Sequence, residues 1–281
     1  MNITLDNTAL SGKINAISSK SYAHRALICA ALSGGVSKIK CDNLSKDIEA
    51  TAECLIGLGA DIKYEDKIFT VQPINTANSK LEIDCGESGS TLRFLLPIIG
   101  ALGLEVNIKM HGRLPQRPLF PLDREMQKYG CKFDISGEIL HISGKLEPAD
   151  YVIEGNISSQ FISGLLFALP IIKGNSRVII KDKFESYSYV KLTLEVLKNY
   201  GIEYTFENNT FELVKDEFIS SNSTVEGDWS NAAFWLCAGA LSKNGITVQN
   251  LNFDSVQGDK KIIDILKSFG ADITVCGNCA S

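Results

Sequence analysis

The residues in this chain best suited to chemistry are cations set beside small hydroxyl and glycine residues, just ahead of apolar runs. Ser18-Ser19-Lys20-Ser21-Tyr22-Ala23-His24-Arg25 leads straight into Ala26-Leu27-Ile28-Cys29-Ala30-Ala31-Leu32. Hydroxyls followed by a helical apolar run mark a helix N-terminus, where unpaired backbone N–H groups and the positive dipole end favour an anion. Lys20 and Arg25 add two positive charges there. An ordinary capped surface helix accounts for this one stretch equally well, so the functional reading depends on the arrangement recurring.

It recurs. Cys85-Gly86-Glu87-Ser88-Gly89-Ser90-Thr91 sets glycines and hydroxyls before a helix and lets a ligand approach the backbone closely, without the Gly-Lys-Ser/Thr ending of a Walker loop. Arg93, on the helix that follows, is as readily structural as functional. His111-Gly112-Arg113-Leu114-Pro115-Gln116-Arg117-Pro118 holds two arginines between prolines. Guanidinium groups match carboxylate or phosphate with paired hydrogen bonds, whereas a solvated loop is the plainer alternative. Ser158-Ser159-Gln160 and Ser186-Tyr187-Ser188-Tyr189 again place hydroxyls at helix starts. Capping explains one serine in each and leaves the others unaccounted for. Asp228 and Asp259 read as helix caps. The three histidines, His24, His111 and His141, form no ligand spacing; His141 alternates within a strand, and His24 reads as a solvent-exposed neighbour of Arg25. No Ser/His/Asp or Cys/His set and no metal cluster can be assembled.

Composition narrows the partners. The 281 residues are 44% hydrophobic and 22% charged, with a net charge of -5, which describes a globular chain long enough for one large or two ordinary domains. That balance argues against broad nucleic-acid or acidic-membrane binding, so clustered cations are expected to serve a small anion. The longest apolar runs, Phe94 to Leu104 and Phe161 to Ile172, are interrupted and fall short of a bilayer. No secretory leader pattern opens the chain, and eight scattered cysteines suit a reduced compartment, so a cytoplasmic location is expected. Cys276-Gly277-Asn278-Cys279 is the single CxxC, and with no second pair it predicts neither zinc nor redox function.

The elements that must position these residues repeat four times. Leu55 to Ile62, Met126 to Phe133, Leu197 to Tyr204 and Leu266 to Ile273 each read as an amphipathic helix ending on a glycine and then a strand. Their glycines, Gly59, Gly130, Gly201 and Gly270, lie 71, 71 and 69 residues apart. Hairpins are expected after three of them, turning near Glu65-Asp66, Ser136-Gly137 and Asn208-Asn209. Helix starts at Ser21, Ser90, Ser159 and Ser230 keep a similar period of 69, 69 and 71 residues. Each unit therefore reads strand, buried helix, strand, amphipathic helix, strand, strand. Copies can pack with their most apolar helices in a common centre, and the polar N-termini then converge on one anion-binding face. The fourth copy is expected to stop before its hairpin. Asn2-Ile3-Thr4-Leu5 and Lys13-Ile14-Asn15-Ala16 read as strands outside the full repeats, which suggests a second domain built from both termini.

Taken together these segments resemble the 5-enolpyruvylshikimate-3-phosphate synthase family. Ser19-Lys20-Ser21 with Arg25, Gly89-Ser90-Thr91-Leu92-Arg93, Arg113-Leu114-Pro115-Gln116-Arg117-Pro118, Ser158-Ser159-Gln160-Phe161, Glu226-Gly227-Asp228 and Gln257-Gly258-Asp259 follow that family's order and approximate spacing. The resemblance implies an α/β fold of repeated βαβαββ units, an inside-out α/β barrel with two three-repeat domains and ligands in the cleft between them. On that basis residues 18–225 form one complete domain, on the shikimate 3-phosphate side, while 1–17 and 226–281 begin a second whose remainder, about 140 residues, is missing at the C-terminal side. The implied reaction is that of a 3-phosphoshikimate 1-carboxyvinyltransferase, which joins phosphoenolpyruvate to the 5-hydroxyl of shikimate 3-phosphate and releases phosphate.

Carried over position by position, Lys20, Gly89, Arg117 and Gln160 correspond to phosphoenolpyruvate contacts, with Lys20 also counted as catalytic. Ser21, Arg25, Ser158, Ser159, Ser186 and Tyr189 correspond to shikimate 3-phosphate contacts. The resemblance implies no metal or cofactor, only small-molecule partners, no nucleic acid or membrane, and a monomer. The family's acid and base groups fall outside these 281 residues, so the chain is expected to turn over little or nothing alone. Ile17-Ser18 replaces the usual Pro-Gly before Ser-Lys. Two alternatives stand beside this reading: a UDP-N-acetylglucosamine enolpyruvyl transferase of the same fold, and a non-catalytic anion-binding module.

Overall fold

Helices that end on glycine and the hairpins that follow them recur throughout the computed structural model, which describes residues 10–75, 80–172 and 174–281. The expected strand Asn2 to Leu5 lies outside the described residues. The chain divides into a smaller unit, Met1–Ser19 with Val225–Ser281, and a larger one, Lys20–Thr224.

β1 (Gly12–Asn15) belongs to the smaller unit. The larger unit opens with α1 (Lys20–Leu32), β2 (Ser37–Lys40), α2 (Lys46–Gly57) and the hairpin β3 (Asp61–Glu65) and β4 (Ile68–Gln72). Its second repeat is β5 (Lys80–Asp84), α3 (Gly89–Leu102), β6 (Glu105–Lys109), α4 (Leu122–Lys128), β7 (Cys131–Ser136) and β8 (Ile139–Gly144). The third is β9 (Asp150–Glu154), α5 (Ser159–Ala168), β10 (Arg177–Lys181), α6 (Tyr187–Asn199), β11 (Glu203–Glu207) and β12 (Thr210–Lys215), followed by the two-residue β13 (Ser223–Thr224). The smaller unit resumes with α7 (Trp229–Leu241), β14 (Ile246–Gln249), α8 (Ile262–Ser268) and the short strands β15 (Val275–Cys276) and β16 (Cys279–Ala280).

Among the described residues four four-stranded sheets share one plan: β13-β2-β4-β3, β5-β6-β8-β7, β9-β10-β12-β11 and β1-β14-β16-β15. In each, a lead strand runs parallel to the strand after the buried helix, and the hairpin adds two antiparallel strands. The first repeat takes its lead strand from the far end of the larger unit, with Ser223 opposite Ile39 and Thr224 opposite Lys40. β1 instead pairs with β14 in the smaller unit, Ile14 opposite Val248.

Gly59, Gly130, Gly201 and Gly270 all have positive φ, at 106°, 108°, 88° and 91°. In three copies the next amide closes onto the carbonyl five residues back, Ala60 to Leu55, Ile202 to Leu197 and Ala271 to Leu266, each at 3.0 Å. This arrangement satisfies carbonyls that a helix end leaves unpaired. Two of the hairpins turn on pairs of positive-φ residues, Asp66-Lys67 and Asn208-Asn209, and a third on Gly137. Such turns match the right-handed twist of the strands they join.

Two expectations are corrected here. The fourth copy does not stop short of its hairpin: Val275 pairs with Ala280 and Cys276 with Cys279, turning at Gly277 with φ 56°. The CxxC spacing is the geometry of that turn, which places the two cysteines opposite each other. The helix starts are also rephased. Ser88, Ser158 and Asp228 are the capping residues, 70 positions apart at each step, so Ser159 sits one place earlier in its helix than Ser90 and Ser230 do in theirs.

α1, α3 and α5 have no solvent face. In α1 every residue from Tyr22 to Ala31 is buried. A helix apolar all round must be covered on every side: α3 and α5 pack against each other, and α1 is covered by α2 and α6. Phe94 of α3 sits among them: its ring centroid lies 5.7 Å from Phe167 and 6.3 Å from the His24 ring, with the Arg25 guanidinium 4.9 Å away. The sheets lie outside, alternating buried and exposed residues, as in Ser37 and Ile39 against Lys38 and Lys40. Close approach of α3 and α5 is possible because Pro97 cannot donate to the Arg93 carbonyl and Gly164 has no side chain to strike it. A Cβ on Gly164 would stand 2.6 Å from that oxygen and 3.1 Å from Pro97 Cγ. Gly164→Ala should therefore lower unfolding stability by about 1–3 kcal/mol, as read from urea denaturation, because the two helices must separate.

Candidate functional site

The N-termini of α1, α3, α5 and α6 meet within the larger unit through hydrogen bonds between side chains far apart along the chain. At the first of these junctions Lys20 Nζ lies 2.7 Å from Asp47 Oδ2. Asp47 stands in the first turn of α2, past the capping Ser45, where a carboxylate complements the helix dipole. Lys20 keeps 47% of its side chain exposed, so its charge still reaches solvent. Burial pushes the Asp47 carboxyl upward, but the hydrogen bond and charge of Lys20, with a further bond from Ser88, outweigh it and leave the pKa below the usual 3.8. Through Ser88, the cap of α3, this pair connects α1 and α2 to the start of α3.

The second junction joins α3 to α5. Gln160 Nε2 donates to Ser90 Oγ at 2.8 Å, and its Oε1 accepts from Arg93 Nη1 at 2.7 Å. Arg93 Nη2 also donates to the Pro118 carbonyl at 3.2 Å, tying in the proline-flanked loop. Arg117, exposed, lies over Gly89, where a Cβ would stand only 3.0 Å from Nη1. The bare Gly89 leaves room for the guanidinium in this position. Burial, then the charge of Arg117, lowers the pKa of Arg93. Two neighbouring like charges raise the positive potential there, which favours an anion. Ser158 caps α5 by accepting from the Gln160 amide at 3.3 Å, and Ser159 is the half-buried first residue of that helix.

The third junction is buried. Arg25 is 2% exposed, with Nε donating to Thr193 Oγ1 at 2.7 Å, Nη1 to the Ser21 carbonyl at 2.7 Å and Nη2 to the Tyr189 carbonyl at 3.1 Å. These bonds fix the starts of α1 and α6 against each other. All three acceptors are neutral, so among the described residues this cation has no carboxylate partner; burial pulls its pKa down to about 10. A buried charge without a counter-ion is costly and favours an anion nearby. Ser186 occupies the cap of α6 in the left-handed conformation, φ 53°, and makes no side-chain cap bond. A non-glycine residue held there stores about 1–3 kcal/mol of strain.

Asp47, Arg93, Thr51, Thr91 and His24 belong to this constellation, and sequence reading did not select them as site residues. Asp47 had looked like an ordinary helix-dipole carboxylate, and threonines in helices carry no special signal. His24 is corrected outright: it is 1% exposed, because the α1 face that carries it packs against Thr51 and Phe94. Asp228 caps α7 as expected, accepting from Asn231 N at 2.8 Å, whereas Asp259 accepts from Ser230 Oγ at 2.5 Å instead of capping α8. In the smaller unit Gln257 Nε2 donates to Glu226 Oε1 at 2.7 Å and to the Gly227 carbonyl at 2.9 Å, and its Oε1 accepts from Ser19 Oγ at 3.3 Å. The two Gly-Asp motifs thus build the scaffold that holds Ser18 and Ser19. Among the described residues no group of three or more His, Cys, Asp or Glu side chains is placed to hold a metal, and no helix is long and apolar enough to cross a membrane.

The Lys20–Asp47 pair makes a pH-dependent prediction. A carboxyl whose folded-state pKa is depressed contributes stability above its unfolded value and loses it as pH falls through the folded value. In urea denaturation, wild type should exceed Asp47→Asn near neutrality, and the gap should close as pH drops below 3.8. A gap undiminished well below that value would show that the pair contributes nothing through its charge.

Comparison with known proteins locates the fold. A profile of the family EPSP synthase (3-phosphoshikimate 1-carboxyvinyltransferase) matches residues 6–279. The 3-phosphoshikimate 1-carboxyvinyltransferase of Clostridium beijerinckii is 44% identical over 275 residues, covering 93% of this chain and 62% of that protein. Its counterpart from Clostridium kluyveri is 40% identical over 288 residues, covering 99% and 66%. The chain therefore spans just under two thirds of the length of these relatives. EPSP synthase from Acinetobacter baumannii superposes with a TM-score of 0.78 at 22% identity, covering 98% of this chain and 64% of that one. The enolpyruvyl transferase NikO from Streptomyces tendae gives 0.71 at 17% identity. With repeats, motifs and family profile in agreement over nearly every residue, the chain belongs to the EPSP synthase family.

Proposed function

We propose that this chain serves the transfer of the enolpyruvyl group from phosphoenolpyruvate to the 5-hydroxyl of shikimate 3-phosphate, with release of phosphate, as a cytoplasmic monomer. The observation that carries this reading is the meeting of four helix N-termini with Lys20, Arg25, Arg93 and Arg117 at one end of the larger unit. Both substrates are polyanions, and backbone N–H groups with fixed cations suit them. Lys20, Gly89, Arg117 and Gln160 are proposed to hold phosphoenolpyruvate, with Arg93 added to the earlier set because it shares Gln160. Ser21, Ser158, Ser159, Ser186 and Tyr189 are proposed to face shikimate 3-phosphate. Arg25 is proposed to join them as a shikimate 3-phosphate contact, and it also holds the Ser21 and Tyr189 carbonyls.

The reaction builds positive character on the enol ether carbon while phosphate departs. Lys20 and Arg117 would keep the phosphate in place, and donors already oriented by the folded chain need no reorganisation at that moment. The acid and base groups are proposed to come from outside these residues, so the larger unit contributes binding and electrostatics. Residues 18–225 are proposed as one complete domain, and 1–17 with 226–281 as one repeat of a second. The apolar α7 supports this assignment: its counterparts α1, α3 and α5 are covered, whereas Phe234 and Leu241 stand 77% and 90% exposed.

Calorimetric titration with shikimate 3-phosphate and phosphoenolpyruvate, set against UDP-N-acetylglucosamine, tests the reading. Lys20→Ala and Arg25→Ala should each weaken binding of the phosphorylated pair by about 1.5 kcal/mol or more, roughly tenfold. Unchanged affinity in both variants would point to a generic anion-binding module, and preference for the nucleotide sugar would point to the sister reaction.

A further inference from the structure

Beneath Lys20 the buried hydrogen bonds form a file with one branch, the Asp47 carbonyl 3.2 Å from Thr51 Oγ1, and the short contacts with the supply of protons fix its direction. Ionised Asp47 has no proton to give, so in its bond with Ser88 the hydroxyl donates. Ser88 Oγ then accepts from Thr91 Oγ1 at 2.7 Å. Thr91 accepts in turn from Thr51 Oγ1, also at 2.7 Å. The last contact, Thr51 Oγ1 to His24 Nδ1, is 2.6 Å. Contacts this short require a proton between the heavy atoms, and each hydroxyl has only one, already committed along the file. The proton in the last bond therefore sits on Nδ1 of the imidazole.

The surroundings of the ring agree. His24 Nε2 is buried with no hydrogen-bond partner, a place where a bare lone pair is tolerated far better than an N–H donor. The charged groups facing the ring are Arg25 and Lys20 on its own helix and Asp47 on α2. Burial first, then Arg25, drives the imidazole down to about 3, so the ring is neutral and its tautomer is the property that matters. Hydrogen bonds aligned head to tail in a low-dielectric interior strengthen one another, and this file ends on the carboxylate paired with Lys20.

We propose that His24 is a positioning residue: donating from Nδ1 through Thr51, Thr91 and Ser88, it sets the orientation of Asp47 and so the placement of Lys20 at the N-terminus of α1. Its effect on ligand affinity rests on the proposed function; the tautomer and the Asp47 carboxyl do not.

Heteronuclear NMR of the nitrogen-labelled 281-residue chain tests the first link without any substitution. The His24 ring should show a protonated Nδ1 and a bare Nε2, unchanged between about pH 5 and 8. A protonated Nε2 or a cationic ring would overturn the proposal. Carbon NMR of the Asp47 carboxyl, assigned through Asp47→Asn, tests the far end. His24→Asn, whose side-chain amide can donate as Nδ1 does, should keep the Asp47 titration low, and His24→Leu should move it up. Equal titration in the two variants would overturn the relay. Affinity for phosphoenolpyruvate with shikimate 3-phosphate should fall several-fold in His24→Leu and recover in His24→Asn. If Asp47 moves and affinity does not, the ligand role of Lys20 fails while the relay stands.

Discussion

Three helices with no polar side must be buried all round, α3 and α5 against each other and α1 by α2 and α6, and that requirement organises the larger unit. Each of α1, α3 and α5 has unpaired N–H groups at its start, and packing the apolar bodies together brings those starts to one end. The core supplies the driving force and the polar ends carry the cost, since groups so placed need partners. Caps on the same helices partner some of them, Ser88 Oγ accepting from Thr91 N and Ser158 Oγ from Gln160 N, and side chains from neighbouring repeats tie the starts together, Gln160 to Ser90 and Arg25 to the Tyr189 carbonyl. The site and the core are consequences of the same packing.

The charges are distributed in a way that serves an anion better than it serves stability. Arg25 is enclosed with neutral acceptors alone, and Arg93 and Arg117 stand close enough for one to depress the other. Of these four cations, Lys20 alone has a carboxylate beside it among the described residues, and that carboxyl is itself held below its usual pKa. Left-handed Ser186 adds strain at the start of α6 without a capping bond in return. Concentrations of unpaired positive charge and backbone strain at one end of a well-packed unit are typical of a surface shaped for a ligand.

The smaller unit uses the same plan with different emphasis. Its sheet has the common strand order, and Trp229, Val248 and Leu251 form its core with Ala16. The conspicuous polar feature is the Glu226, Gln257 and Ser19 network, which leaves Glu226 bonded by Ser255, Gln257 and Asn252. This fully bonded cluster fixes the backbone immediately before Lys20. Gly227 is there because its Cα approaches the Asn250 carbonyl too closely for any side chain.

The sequence alone determined the repeat, its period, the glycine-ended helices, the hairpins and the polar helix starts, because each is local: a positive φ, an alternation or an apolar run is decided within a few residues. What it could not determine is which local features meet. Asp47 and His24 lie in ordinary helical sequence, and only the crossing of α1 against α2 and α3 turns one into the partner of Lys20 and buries the other. The strand leading the first repeat comes from residues 223–224 because parallel pairing selects by position in space, whatever the distance along the chain. The CxxC became a hairpin turn for a similar reason: cross-strand register, once β16 joined β14, left those two cysteines opposite each other. Short-range geometry thus wrote the elements, and long-range packing decided their partners.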